Sequence, residues 1–137
     1  MFEMREKLSS DKIGEIEDNM NFDLLINAGI DAADAVKRFM GNESLYARML
    51  RKFLDDKNYE NLVKAIPEKN ESEALTASHT LKGLCGNLSM NELFRLFSEQ
   101  VTLFRADKWD EACAMMPEIS ENYTKVTDAI KAWLEQQ

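Results

Sequence analysis

His79 is the only histidine of the 137-residue chain. It stands in the run Ser78-His79-Thr80-Leu81-Lys82-Gly83-Leu84-Cys85-Gly86-Asn87-Leu88. At about 100° per residue, His79, Lys82, Gly83 and Gly86 fall on one face of a helix. Ala74, Ala77, Leu81, Leu84, Cys85 and Leu88 fall on the opposite, apolar face. Such a helix packs its back into a core and turns an imidazole outward. The two glycines oppose helix formation, each costing roughly 1 kcal/mol relative to alanine in a helix interior. Both lie on the histidine face. A helix that gives up stability to clear the space around an imidazole expects something large to approach it.

An imidazole is largely neutral at physiological pH and can form covalent intermediates as a nucleophile. Other chemistries find no residues here. The chain has no G-x-x-x-x-G-K-[ST] loop and no G-x-G-x-x-G, so no motif supports nucleotide binding. A single histidine leaves a zinc site without a second imidazole, and the Glu-x-x-His pairs of a di-iron bundle are missing. No bound metal is expected. Cys85 and Cys113 are too few and too far apart for a metal knuckle and read as reduced core thiols. Cys85 lies about 120° from His79 around the helix, so it is not a nucleophile served by that ring. His79 itself remains as the nucleophile. Lys82, one turn on, attracts an incoming phosphoryl group and can pair with its oxygens after transfer. Gly83 and Gly86 remove side chains that would block in-line attack, the geometric demand of phosphoryl transfer.

The elements that must hold this face follow from pattern. The length fits one domain with a core that needs no disulfides. Five glycines and two prolines favour helices over a turn-rich β fold. Residues 1–20 are charged and weakly patterned, a tail or linker, and 21–137 form the folded domain. Asp31 caps a short helix that Gly41 ends. Asn42 opens the next helix, which the polar patch Asp55 to Asn58 bends or splits and Pro67 stops. Asn70 and Glu73 cap the His79 helix, expected from about Glu71 to Leu88. Ser89-Met90-Asn91-Glu92 has the spacing of a capping box, so a new helix starts almost where the last ends, and the two form an antiparallel hairpin. Leu93, Leu96, Phe97, Val101 and Phe104 share its buried face. Gln100 lies among them, reaching a polar partner at the core edge or, the preferred reading, sitting at the rim. Asp107 begins a last helix that Pro117 should kink. No segment alternates strictly, so no sheet is expected. The fold class is all-α: an antiparallel up-down-up-down four-helix bundle with a short N-terminal capping helix.

The net charge of -8 and the pI of about 4.7 exclude nucleic-acid binding by a basic patch and attraction to an acidic membrane surface. No apolar run approaches the roughly 20 residues that span a bilayer, and residues 1–6 lack the apolar core of a signal peptide. A monomer in the cytoplasm is expected. Leu75, about 40° from His79 and one turn earlier, is either part of a docking patch or buried in a helix–helix groove. With the hairpin joint at Ser89, Ser98 lies opposite His79 and Arg95 opposite Lys82, flanking the same surface.

The run His79-Thr80-Leu81-Lys82-Gly83, followed by Leu84-Cys85-Gly86-Asn87-Leu88, resembles the signature of the histidine-containing phosphotransfer (HPt) domain family. That family's core is H-x-L-K-G, then small residues and an apolar residue at the helix end. Gly29-Ile30-Asp31 through Phe39, Leu45-Tyr46 and Leu50 to Leu54 look like its N-terminal half, so the resemblance covers roughly residues 21–135. Two positions depart from it. Ser78 stands where alanine is frequent, and Ser89 where a glycine often closes the helix. The resemblance implies a phosphorelay intermediate, a carrier without ATP binding. It would accept a phosphoryl group on His79 from the aspartate of a receiver domain and pass it to an aspartate on another. Lys82 would steady the phosphoryl charge, and Gly83 and Gly86 would give the receiver clearance. The divalent metal, Mg, would belong to the partner receiver. A non-catalytic helical adaptor using the same face is the competing expectation.

Overall fold

The computed structural model describes residues 22–137, so the expected tail, residues 1–20, lies outside them. The described chain is all-helical. Its elements are α1 (Asp23–Asn27), α2 (Ala32–Arg38), α3 (Glu43–Asp55), α4 (Asn58–Glu68), α5 (Glu71–Asn87), α6 (Asn91–Arg105), α7 (Trp109–Ala114) and α8 (Met116–Glu135). Among the described residues, the one β-type pairing is the isolated bridge Ile30–Met90. None of these helices is long and apolar enough to cross a membrane.

Three helix starts follow the cap residues of the sequence. The side chains of Asp31, Asn42 and Asn70 accept from the backbone N–H of Asp34, Leu45 and Glu73, at 3.1, 2.9 and 3.1 Å. Each such cap contributes about 1 kcal/mol. The polar patch after Leu54 splits the long element. Asp56 Oδ1 accepts from both the backbone N–H and the side-chain amide of Asn58 at 2.8 Å, so α4 starts afresh there.

Three expectations are corrected. Pro67 does not stop α4 but sits inside its last turn. The stop is Lys69, in the left-handed conformation at φ 53°. Pro117 does not kink a continuous helix. The chain breaks between Ala114 and Met116, and Pro117 lies in the first turn of α8, where a missing N–H costs nothing.

Ser89 does not cap α6. It closes α5 at φ 56°, its N–H bonding the Gly86 carbonyl at 3.2 Å while the Met90 N–H bonds the Cys85 carbonyl at 2.9 Å. That is the left-handed helix stop usually filled by glycine. A residue so placed lacks the extended backbone of a side-chain cap. Met90 takes the cap position without a side-chain bond, and the Ser89 hydroxyl donates instead to Asp34 Oδ2 at 2.7 Å.

Asp34 thereby pins α2 to the α5–α6 joint. The Ser89 hydroxyl and then the Arg38 guanidinium (Nε to Oδ2 3.0 Å) hold its carboxyl below the ordinary value. A carboxyl depressed on folding contributes stability that is complete above the unfolded value, about 4, and lost as pH falls through the lower, folded one. Asp34→Asn should therefore unfold in less urea than wild type at pH 7. The gap should narrow as pH falls below about 4; a gap independent of pH would contradict this role.

The core lies between α5 and the helices around it. α5 packs along α4 and α6, while α8 lies across α1, α3 and α6. Leu50, Leu62, Leu81, Leu96, Phe97 and Ile130 are fully buried, each contributing about 1.5–3 kcal/mol through burial. Phe22, Tyr46 and Trp133 close one end, with ring centroids 5.7–6.3 Å apart.

Candidate functional site

His79 sits mid-way along α5 and is exposed. Its neighbour Ser78 is fully buried. The buried residues of α5 are Ala74, Ala77, Ser78, Leu81 and Cys85, the back of the wheel plus one serine. Lys82, one turn on, is half-buried and forms no ion pair with any described residue. Imidazole and ammonium therefore share a solvent-facing strip with no carboxylate bonded to either.

The two glycines differ in their reasons. A Cβ built on Gly83 meets nothing within 4 Å, so nothing inside this chain requires a glycine there. A Cβ on Gly86 would lie 3.0 and 3.1 Å from the ring of Phe94. Gly86 thus accommodates an aromatic of α6 that crosses the bare backbone. The space beside Gly83 is open, whereas the expected clearance at Gly86 is corrected, since the Phe94 ring covers it. Phe94 is 40% exposed and places a large apolar surface at the edge of the His79 face. Sequence reading passed over it, although its position off the Leu93–Leu96–Phe97 stripe marked it as an aromatic outside the core pattern.

Gln100 is the second correction. It is fully buried, not at the rim. The Ser78 hydroxyl donates to its Oε1 at 2.8 Å, and its Nε2 donates to the Ala112 carbonyl at 3.1 Å and to Met116 Sδ at 3.3 Å. This chain of bonds ties α5 to α6 and α7 at the level of His79. Serine before the histidine is thus the partner that a buried glutamine needs.

The remaining expected residues lie around this strip. Leu75 packs against the core and opens on one side into a cleft shared with Phe104 and Trp109. Arg95 is exposed but surrounded by carboxylates: Glu92 at 2.6 Å, Glu99 at 3.6 Å and Glu118 at 3.7 Å. Its hydrogen-bonded partner Glu92 is held below the usual carboxylate range. A guanidinium so compensated has little charge left for a phosphoryl group. The Ser98 hydroxyl donates back to the Phe94 carbonyl at 2.6 Å. Neither Arg95 nor Ser98 bonds to His79 or Lys82. Burial pushes the Cys85 thiol up, which removes it as a nucleophile. No group of three or more metal-ligating side chains occurs among the described residues.

Comparisons with protein-family models, with curated proteins and with solved structures find no match to this chain.

Proposed function

We propose that the protein is a histidine phosphotransfer carrier of a multistep phosphorelay. His79 accepts a phosphoryl group from the aspartate of a receiver domain and passes it to another receiver. The observation that carries this reading is Gly83. It lies one turn from an exposed imidazole, in a helix interior, where the chain itself leaves room for a side chain. A glycine kept at a cost of about 1 kcal/mol with no internal reason fits a surface against which another molecule closes. The neutral ring attacks the phosphorus as the bond to the aspartate carboxylate breaks, and the imidazole proton leaves to solvent. Lys82 then pairs with the phosphoryl oxygens. This chain supplies the nucleophile and one cation, while the receiver holds the metal.

The supporting frame is one in which α3 with α4, α5, α6 and α7 with α8 act as the four legs of an antiparallel bundle, capped by α1 and α2. The setting we infer is the cytoplasm, with the protein as a monomer. A non-catalytic adaptor would use the same face and Phe94, but would leave the His79–Lys82 strip without a role.

Gly83→Ala tests the reading in two directions. The methyl fits the helix, so stability should rise by about 0.5–1 kcal/mol. The same methyl stands in the approach to His79, so phosphoryl transfer from a phosphorylated receiver should slow on the order of tenfold. A stabilised variant with undiminished transfer would show that the clearance is not used.

A further inference from the structure

Among the described residues, the large apolar side chains that stand exposed are Ile26, Met40, Val63 and Phe94. Of these, Phe94 alone belongs to the α5–α6 hairpin that carries His79. It lies in the first turn of α6, off the buried stripe of Leu93, Leu96 and Phe97. Its ring is seated on Gly86 instead, where an added Cβ would meet Cδ1 at 3.0 Å and Cε1 at 3.1 Å. Gly86 points about 20° from His79 around α5 and stands about 10 Å further along its axis. The ring therefore lies on the His79 side of the helix. Gly83 comes between the two, with nothing within 4 Å of where its Cβ would be. Imidazole, bare backbone and aromatic ring follow one another along one strip.

This arrangement works against the stability of the free chain. A glycine inside a helix is destabilising relative to alanine. The ring that Gly86 admits stays 40% exposed, so it returns only part of the burial that a core phenylalanine gives. What the pair secures is a large aromatic ring held against α5 beside the nucleophile. Such a ring has few torsions to order on contact, and aromatics well inside an interface carry much of its binding energy. A folded domain buries about 800 Å² on each partner, a disc of roughly 16 Å radius. A domain that comes close enough to His79 to exchange a phosphoryl group therefore covers Phe94 as well.

We propose that Phe94 is the anchor by which a receiver domain docks beside His79. Its ring enters an apolar recess on the receiver, about 10 Å from the phosphorylated aspartate. The inference rests on the phosphotransfer reading and names what selects the receiver. Phe94 sets affinity and leaves the bond exchange to His79 and Lys82. A receiver with polar groups at that place is disfavoured, because docking would bury them against the ring without partners.

The test uses the full chain and, from the source organism's own receiver domains, the phosphorylated one that labels wild type fastest. Phe94→Ser should raise the KM for that receiver about tenfold or more and leave kcat within about twofold. Phe94→Leu, which keeps an apolar side chain, should stay within about threefold of the wild-type KM. In a His79→Gln background, where no transfer occurs, Phe94→Ser should weaken receiver binding by the same factor, read by fluorescence anisotropy. Loss of fold alone would lower the active fraction, and so kcat, rather than raise KM. Unchanged KM and affinity in Phe94→Ser would overturn the proposal, as would a fall in kcat alone or a Phe94→Leu protein as weak as Phe94→Ser. A wild-type chain that takes no label from any receiver would remove the phosphotransfer reading and the anchor with it. Labelled wild type matched by an equally efficient Phe94→Ser would remove the anchor alone.

Discussion

His79→Gln is expected to abolish phosphoryl acceptance altogether and to leave the fold intact. The side chain is exposed and bonds to no described residue, so its loss removes little packing and no hydrogen bond to them. Urea unfolding of the variant should fall within about 0.5 kcal/mol of wild type, as for other surface substitutions. Glutamine keeps the length and polarity of the ring but cannot act as the nucleophile. Lys82→Ala should give a partial loss, because the ammonium stabilises charge without forming the bond. A His79→Gln protein that still took label would move the acceptor elsewhere in the chain.

Gln100→Ala is expected to be among the most destabilising single changes. It empties a fully buried site and strands the Ser78 hydroxyl, while the Ala112 carbonyl is left with its bond from the Met115 N–H at 3.3 Å. Each buried unsatisfied group costs about 1–3 kcal/mol, and the cavity adds to that. A total of roughly 3–5 kcal/mol is a large share of a domain's 5–15 kcal/mol. The pairing has a sharper signature. Ser78→Ala alone should cost about 1–2 kcal/mol by stranding Gln100 Oε1, but little further in a Gln100→Leu background, where neither polar partner remains. Additive losses in that double-mutant cycle would show that the two side chains do not act as a pair.

The fold was legible where one local rule decides. Asp31, Asn42 and Asn70 announce helix starts because an Asx side chain satisfies an orphan N–H three residues on, whatever surrounds it. It was illegible where two rules compete for one residue. Ser89 has the letters of a capping box, but closing α5 in the left-handed conformation takes precedence and hands its hydroxyl to Asp34, which is 55 residues away in sequence. Pro117 carries two meanings, kink or first turn, and the tertiary break before Met116 selects the second.

The site divides the same way. The periodicity of α5 places His79, Lys82 and Gly83 outward, because burial of Leu81 and Cys85 fixes the rotation of the helix. The role of Gly86 depends on Phe94, and the compensation of Arg95 depends on Glu118, which comes from α8. Contacts between helices leave no trace in the spacing of a single one. The burial of Gln100 is of this kind, although an amide amid Leu96, Phe97, Val101 and Phe104 already pointed toward a buried partner.

The most direct measurement is the chemistry of the bond formed. The full chain is incubated with radiolabelled, phosphorylated receiver domains and a divalent metal, and the transferred label is mapped and challenged with acid and with base. A phosphoramidate on His79 predicts label on the peptide containing residues 71–87, lost in acid and retained in base. Label that survives acid, label on another peptide, or a chain that binds receivers and stays unlabelled would contradict the account.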